Sequence, residues 1–135
     1  MQVDWVRVEG DSMRPFIRPG DLIGVDWECG NQLSLGDILF ARSETKPWIV
    51  HRLVGMGGHG SGRLLVKGDA AYVLETFAPE LIWGRIRAIR RNGSERICTW
   101  RVSWFDRAIA HLSRWKFRRF TFVLGFVRRG LLWPR

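Results

Sequence analysis

Ser12 and His51 are a serine and a histidine whose types could together do nucleophilic chemistry. A serine hydroxyl is a poor nucleophile near neutral pH and needs a positioned base to take its proton. Histidine titrates near neutrality without special burial, so it suits that task. Ser12 lies in Gly10-Asp11-Ser12-Met13-Arg14-Pro15, entered from Val3–Val8 and closed by Ile17-Arg18-Pro19-Gly20-Asp21. A small residue before a serine at a strand end exposes the hydroxyl and leaves backbone N–H groups free beside it, which the oxyanion of acyl transfer requires. Taken alone, Gly-Asp-Ser is also ordinary turn chemistry. His51 sits in Ile49-Val50-His51-Arg52-Leu53-Val54, where alternate residues share a face. Ile49 and His51 therefore face one way and Val50 and Arg52 the other, which lets His51 point into a groove flanked by apolar neighbours.

The other titratable candidates read more plainly. His59 sits among glycines with no carboxylate or cysteine partner and is expected to be a loop histidine, not a metal ligand. His111 is expected at the surface, and Arg52 is expected to pair a carboxylate or face solvent. Gly55–Gly62 lacks the Gly-Lys-Ser/Thr ending of a phosphate loop; it is expected to be a flexible hairpin connection, with a lid over the groove as the alternative.

Six short boxes follow one another in a set order. They are Ser12-Met13-x-Pro15, Pro19-Gly20-Asp21-Leu22-Ile23, Gly36-Asp37-Ile38, Val50-His51-Arg52-Leu53-Val54-Gly55, Lys67-Gly68-Asp69 and Trp83-Gly84-Arg85-Ile86. In this order, over roughly residues 3–91, the chain resembles the type I signal peptidases and LexA-like serine peptidases. Gly10-Asp11-Ser12-Met13 is closer to the LexA-type repressors and their relatives; Ser12-Met13-x-Pro15 and His51-Arg52 are closer to signal peptidases of the archaeal and eukaryotic kind. The resemblance implies a coiled, partly open mixed β-sheet with the active site in a groove along one sheet. Many members use a lysine base; here that position is His51, as in the Ser–His variant of the signal peptidases. Lys67 falls in the family's Lys-Gly-Asp turn and is expected to be structural or solvated.

A histidine base works better when its second nitrogen is held, and Asp69, turned by Gly68, is the residue expected to hold it. The backbone N–H of Ser12 is the expected first oxyanion donor. Several signal peptidases add a hydroxyl two residues before the nucleophile; this chain has Gly10 there, which leaves the second donor unassigned. Asp11 is expected to face away and brace the turn. Met13, Pro15 and Ile49 are the groove candidates, Met13 with a core role as the safer assignment.

The elements that must position these groups are short strands. Val3–Val8 alternates apolar and polar residues; residues 22–27, 37–42, 48–54, 63–69 and 82–89 read as further strands, and 96–102 as a possible seventh. Gly, Pro and Asn turns separate them, and there is almost no helical pattern before residue 103, so the expected fold is all-β or β-dominated. At 135 residues and 46% hydrophobic content the chain makes one compact domain with at most an appendage. The expected division is a β-rich peptidase domain, 1–102, and a basic, Trp/Phe-rich amphipathic helical tail, 103–135.

The charge is split along the same line. Residues 1–84 carry 8 Lys/Arg against 11 Asp/Glu, and residues 85–135 carry 14 against 2. Ser103 to about Phe120 reads as a helix. Ser103 and Asp106 form a near-capping box, with a polar stripe of Arg107, His111, Arg114 and Arg118 opposite an aromatic and aliphatic face. Such a helix is expected to lie on an anionic membrane surface; packing on its own β-domain or on a partner chain is the alternative. No nucleic-acid motif is present, so a nucleic-acid partner is not expected. Neither apolar run of the tail reaches the ~20 residues that span a bilayer. Residues 1–8 lack the apolar stretch of a secretory signal, which points to the cytoplasm. Cys29 and Cys98 form no zinc pattern and are expected to be buried or idle thiols.

The expectation is thus a serine endopeptidase acting on a leader- or signal-type precursor peptide or protein, using Ser12 and His51 with help from Asp69 and without cofactor or metal. By analogy with the signal peptidases, small residues would precede the scissile bond. Two alternatives remain: a LexA-type self-cleaving regulator, which needs a DNA-binding domain upstream and an internal scissile loop, and a non-catalytic membrane- or protein-binding module on the same fold.

Overall fold

Seven strands form a single open sheet in the computed structural model, which describes residues 3–29, 32–57, 62–92 and 104–114. They are β1 (Asp4–Arg7), β2 (Leu22–Asp26), β3 (Ile38–Ala41), β4 (Ile49–Met56), β5 (Leu64–Lys67), β6 (Glu75–Phe77) and β7 (Ile82–Arg90). A 3₁₀ turn, Pro79–Leu81, leads into β7, and one helix, α1 (Trp104–Arg114), follows. The order across the sheet is β1-β2-β7-β3-β4-β5-β6. The β-dominated fold expected from the sequence is what forms. In one detail it differs: every pairing among the described strands is antiparallel, where a mixed sheet was expected. The links β3–β4, β4–β5 and β5–β6 each reverse the chain, and β7, which runs in the direction of β6, inserts between β2 and β3, both of opposite direction.

Alternation along β3 and β4 divides the core. Ile38, Phe40 and Val50 join Val8, Ile17, Ile23 and Ile86 in one cluster, and Leu39, Ala41, Ile49 and Leu53 join Val66 and Phe77 in another. Residues next to each other in β3 thus belong to different clusters, as a period of two requires. His51 shares its face with Ile49 and Leu53, as its spacing predicts.

Strands β1 and β2 pair from Asp4↔Val25 to Arg7↔Leu22, so the fourteen residues between them leave and re-enter the sheet at one point. Val8 N–H donates to the Asp21 carbonyl at 2.9 Å and Gly20 N–H to the Val8 carbonyl at 2.8 Å, pinching the base of this serine loop. Gly20, at φ +90°, makes the reversal that a side chain would strain. Phe16 and Ile17, both fully buried, pin the loop into the core; each contributes roughly 1.5–3 kcal/mol of burial. Arg91 at the end of β7 ties the loop further, through Asp21 and the Phe16 carbonyl.

The sequence reading misses β6, a three-residue strand in a stretch with no alternating run. β4 runs on through Gly55 to Met56, past the point where a flexible connection was expected, with an irregularity in its pairing between Leu53 and Gly55. The possible strand at 96–102, the helix beyond 114, Cys98 and His59 lie outside the described residues. Cys29 is a buried free thiol whose pKa burial pushes up.

α1 packs on the domain through β4. Ile109 and Ala110 are buried against it, and Asp106 is fully buried as well. Arg107 and His111 face outward, as the expected polar stripe requires. Ile109 and Ala110 are therefore covered by the chain's own β-domain. No helix among the described residues is long and apolar enough to cross a membrane.

Candidate active site

The serine loop and β4 bring Ser12 and His51 together. Ser12 Oγ lies 3.1 Å from His51 Nε2. The other ring nitrogen, Nδ1, lies 2.8 Å from Glu75 Oε2. An ionised carboxylate only accepts, so Nδ1 carries the proton and donates to Glu75. Nε2 then presents its lone pair to the Ser12 hydroxyl, the tautomer a general base needs. Burial pushes the His51 pKa below its ordinary value of 6.5, and Glu75 and then Asp69 pull it back only in part. The imidazole is therefore neutral at neutral pH.

Asp69 does not hold His51, contrary to expectation. Both of its carboxylate oxygens accept from Arg52, Oδ1 from Nε and Oδ2 from Nη2, each at 2.8 Å. The reason is the strand period: His51 and Arg52 point to opposite faces of β4, and the buried guanidinium needs a carboxylate on its own side. The third member of the constellation comes from β6. Val66 pairs with Leu53 across β4–β5 and with Glu75 across β5–β6, which puts Glu75 on the His51 face, two strands away. No sequence pattern marked Glu75, because the contact passes through two strand registers.

The Lys67-Gly68-Asp69 box has a different task. A Cβ at Gly68 would stand 2.6 Å from the Ser12 carbonyl oxygen and 2.9 Å from Ser12 Cβ. Only glycine lets this turn run so close to Ser12. Ala70 N–H donates to the Ser12 carbonyl at 2.7 Å, which fixes the residue from behind. Lys67 is buried, in register with Arg52, and the group on Nε2 of His51 is the serine hydroxyl.

Beside Ser12 and His51 lies a cleft of about 370 Å³. Met13, Ile17, Ile49 and Val50 give it apolar walls; Trp48, stacked on Phe40 at 5.1 Å, lines it too, and Glu9 and Lys46 add one charge of each sign. Met13 and Ile49 thus stand where they were expected. Pro15 is buried and does not line the cleft. Gly10 lines it with open space around its Cα, so no side chain there supplements an oxyanion hole. Among the described residues, the N–H groups of Ser12 and Met13 donate to no backbone carbonyl. Asp11 is exposed, and its carbonyl accepts from Arg14 N–H at 3.0 Å, bracing the turn. Among the described residues no cluster of three or more His, Cys, Asp or Glu could hold a metal ion. A larger cavity, about 640 Å³ between α1 and the Ser34–Leu35 turn, contains none of the reacting groups.

A family model described as Peptidase S24-like matches residues 2–87. No curated protein and no solved structure matches the chain significantly.

Proposed function

The chain belongs to the peptidase S24-like family, and on that premise we propose that it is a serine endopeptidase in which Ser12 is the nucleophile, His51 the general base and Glu75 the residue that orients His51. The observation that carries this reading is the continuous line Ser12 Oγ to His51 Nε2, 3.1 Å, and His51 Nδ1 to Glu75 Oε2, 2.8 Å, beside an apolar-walled cleft.

Ser12 Oγ attacks a peptide carbonyl while its proton passes to Nε2. The imidazolium that forms is stabilised by the Glu75 carboxylate through Nδ1–H. The Ser12 N–H is the first donor to the oxyanion. His51 then returns the proton to the leaving amine, and water, deprotonated by the same nitrogen, releases the acyl-enzyme. The substrate class that suits the cleft is an extended precursor peptide of the leader or signal type with an apolar residue seated against Met13, Ile17 and Ile49. Small residues before the scissile bond follow by analogy with the signal peptidases.

The test is reaction of the purified chain with a fluorophosphonate probe, beside Ser12→Ala, His51→Ala and Lys67→Met. Labelling of the parent and of the Lys67 variant, lost in the other two, is the expected result. Loss in Lys67→Met with survival in His51→Ala moves the base to lysine. A folded parent chain that neither labels nor cleaves a peptide library overturns the enzyme reading.

A further inference from the structure

We infer that α1 is part of the catalytic unit, and that Asp106 on it is a positioning residue for Ser12, acting through Arg52 and the Gly68–Ala70 turn. The inference rests on the serine-peptidase reading and extends it to a segment beyond the family match, which ends at residue 87.

The links form a continuous buried path. Asp106 is 0% exposed, and its Oδ1 accepts from Arg52 Nη1 at 3.1 Å. The same nitrogen donates to the Gly36 carbonyl at 3.0 Å, while Nε and Nη2 form the fork on Asp69. Arg52 and Asp69 are each 1% exposed. One residue before Asp69, Gly68 runs against Ser12; one residue after it, Ala70 N–H holds the Ser12 carbonyl at 2.7 Å. The guanidinium is thus oriented from three sides, by β-domain turn, by helix and by the turn that backs the nucleophile.

The seat of α1 is equally specific. A Cβ at Gly36, which has φ +96°, would stand 2.9 Å from the Asp106 carbonyl carbon and 3.1 Å from Arg107 N. The helix backbone rests directly on that turn, and glycine is what permits it. A helix held only by adhesion of an apolar face would need neither this close approach nor a fully desolvated carboxylate. With Asp106 truncated, Arg52 Nη1 keeps only the Gly36 carbonyl, and the fork that fixes Asp69 and the Ser12 turn loses one of its three supports. A displacement of about 1 Å at a reacting group can cost on the order of a hundredfold in rate.

The experiment uses the full chain with Asp106→Ala, Asp106→Asn and Asp106→Glu, and Leu64→Ala as a core-destabilising control at the far end of β5 from Lys67. Two quantities are read: the fluorophosphonate labelling rate at saturating probe, separated from probe affinity, and the hydrogen-exchange rate of the Ala70 amide. Asp106→Ala is expected to slow saturated labelling by about tenfold to a hundredfold with probe affinity unchanged, and to speed Ala70 exchange at least tenfold. Asp106→Asn, which keeps an acceptor oxygen, is expected to fall between it and the parent, and it carries the test if the alanine variant does not fold. Asp106→Glu is expected to restore part of the rate. Unchanged labelling and exchange in folded variants, or an equal loss in Leu64→Ala, would reduce α1 to a packing element. If the parent does not label, the peptidase reading fails by itself, and Ala70 exchange still decides whether α1 sets the Ser12 turn.

Discussion

Replacing Glu75 by glutamine removes a charge from His51 and leaves a side chain of the same shape. A hydrogen bond to a charged group contributes about 1.5–3 kcal/mol. The Glu75 side chain is 34% exposed, so solvent screening places it at the lower end, about 1.5 kcal/mol. The imidazolium formed during acylation loses that much stabilisation, which is about tenfold in rate. Burial lowers that pKa and Glu75 pulls it back up, so removing the charge lowers it further. The acid limb of the labelling-rate profile is therefore expected to move toward lower pH while the plateau drops about tenfold. The assay is fluorophosphonate labelling followed from acidic to neutral pH, with an NMR titration of the His51 ring alongside. Asp69→Asn is the contrast: it lowers the plateau through Arg52 and the Ser12 turn and moves the acid limb less than Glu75→Gln does, because Glu75 and not Asp69 meets the His51 ring. An acid limb that stays in place or moves to higher pH in Glu75→Gln would refute the assignment. A larger displacement of the acid limb in a stably folded Asp69→Asn than in Glu75→Gln would return the orienting role to Asp69.

Gly68→Ala drives a methyl into the Ser12 backbone, where nothing flexible can yield, so it is expected to cost about 1–3 kcal/mol in thermal denaturation and to slow Ser12 labelling together. Arg52→Met removes the guanidinium from which both the Asp69 and Asp106 carboxylates accept; the expected loss is about 3–5 kcal/mol in chemical denaturation, and Arg52→Lys should not recover it, because an ammonium cannot make the two-pronged contact. Because the folded pKa of His51 lies below the ordinary 6.5, the unfolded chain binds the proton more readily. Stability is therefore complete above about pH 6.5 and declines as pH falls from there through the folded pKa. The decline should be smaller in His51→Gln when the two chains are compared by denaturation at a series of pH values.

The strands that alternate or carry long apolar runs were legible, and so were the two residues of complementary chemistry. Ser12 announced itself by the Pro-Gly turn that closes its loop and by the boxes that follow it, and His51 by its box, with the alternating strand giving the face it points to. The strand β6 was not legible, since three residues cannot show a period and its strand pairing comes entirely from β5. The helix α1 was legible as an amphipathic segment, but its pattern suits a membrane surface and a β-sheet equally. The buried pair of Asp106 with Arg52 settles which surface its first turns meet.

The sequence by itself pointed to the β-dominated class, through spacing within single elements, and singled out Ser12 and His51, through the ordered boxes in which they stand. Tertiary structure alone decided which carboxylate meets Arg52 and which meets His51. Asp69 follows Gly68 and lies in the expected box, yet Arg52, one residue from His51 and on the opposite face, takes both of its oxygens. Glu75 reaches His51 only because two antiparallel registers carry it back across the sheet. Within a strand the period of two dictates which way a side chain points; what it meets there depends on pairing between segments far apart in the chain, and local sequence does not encode that distance.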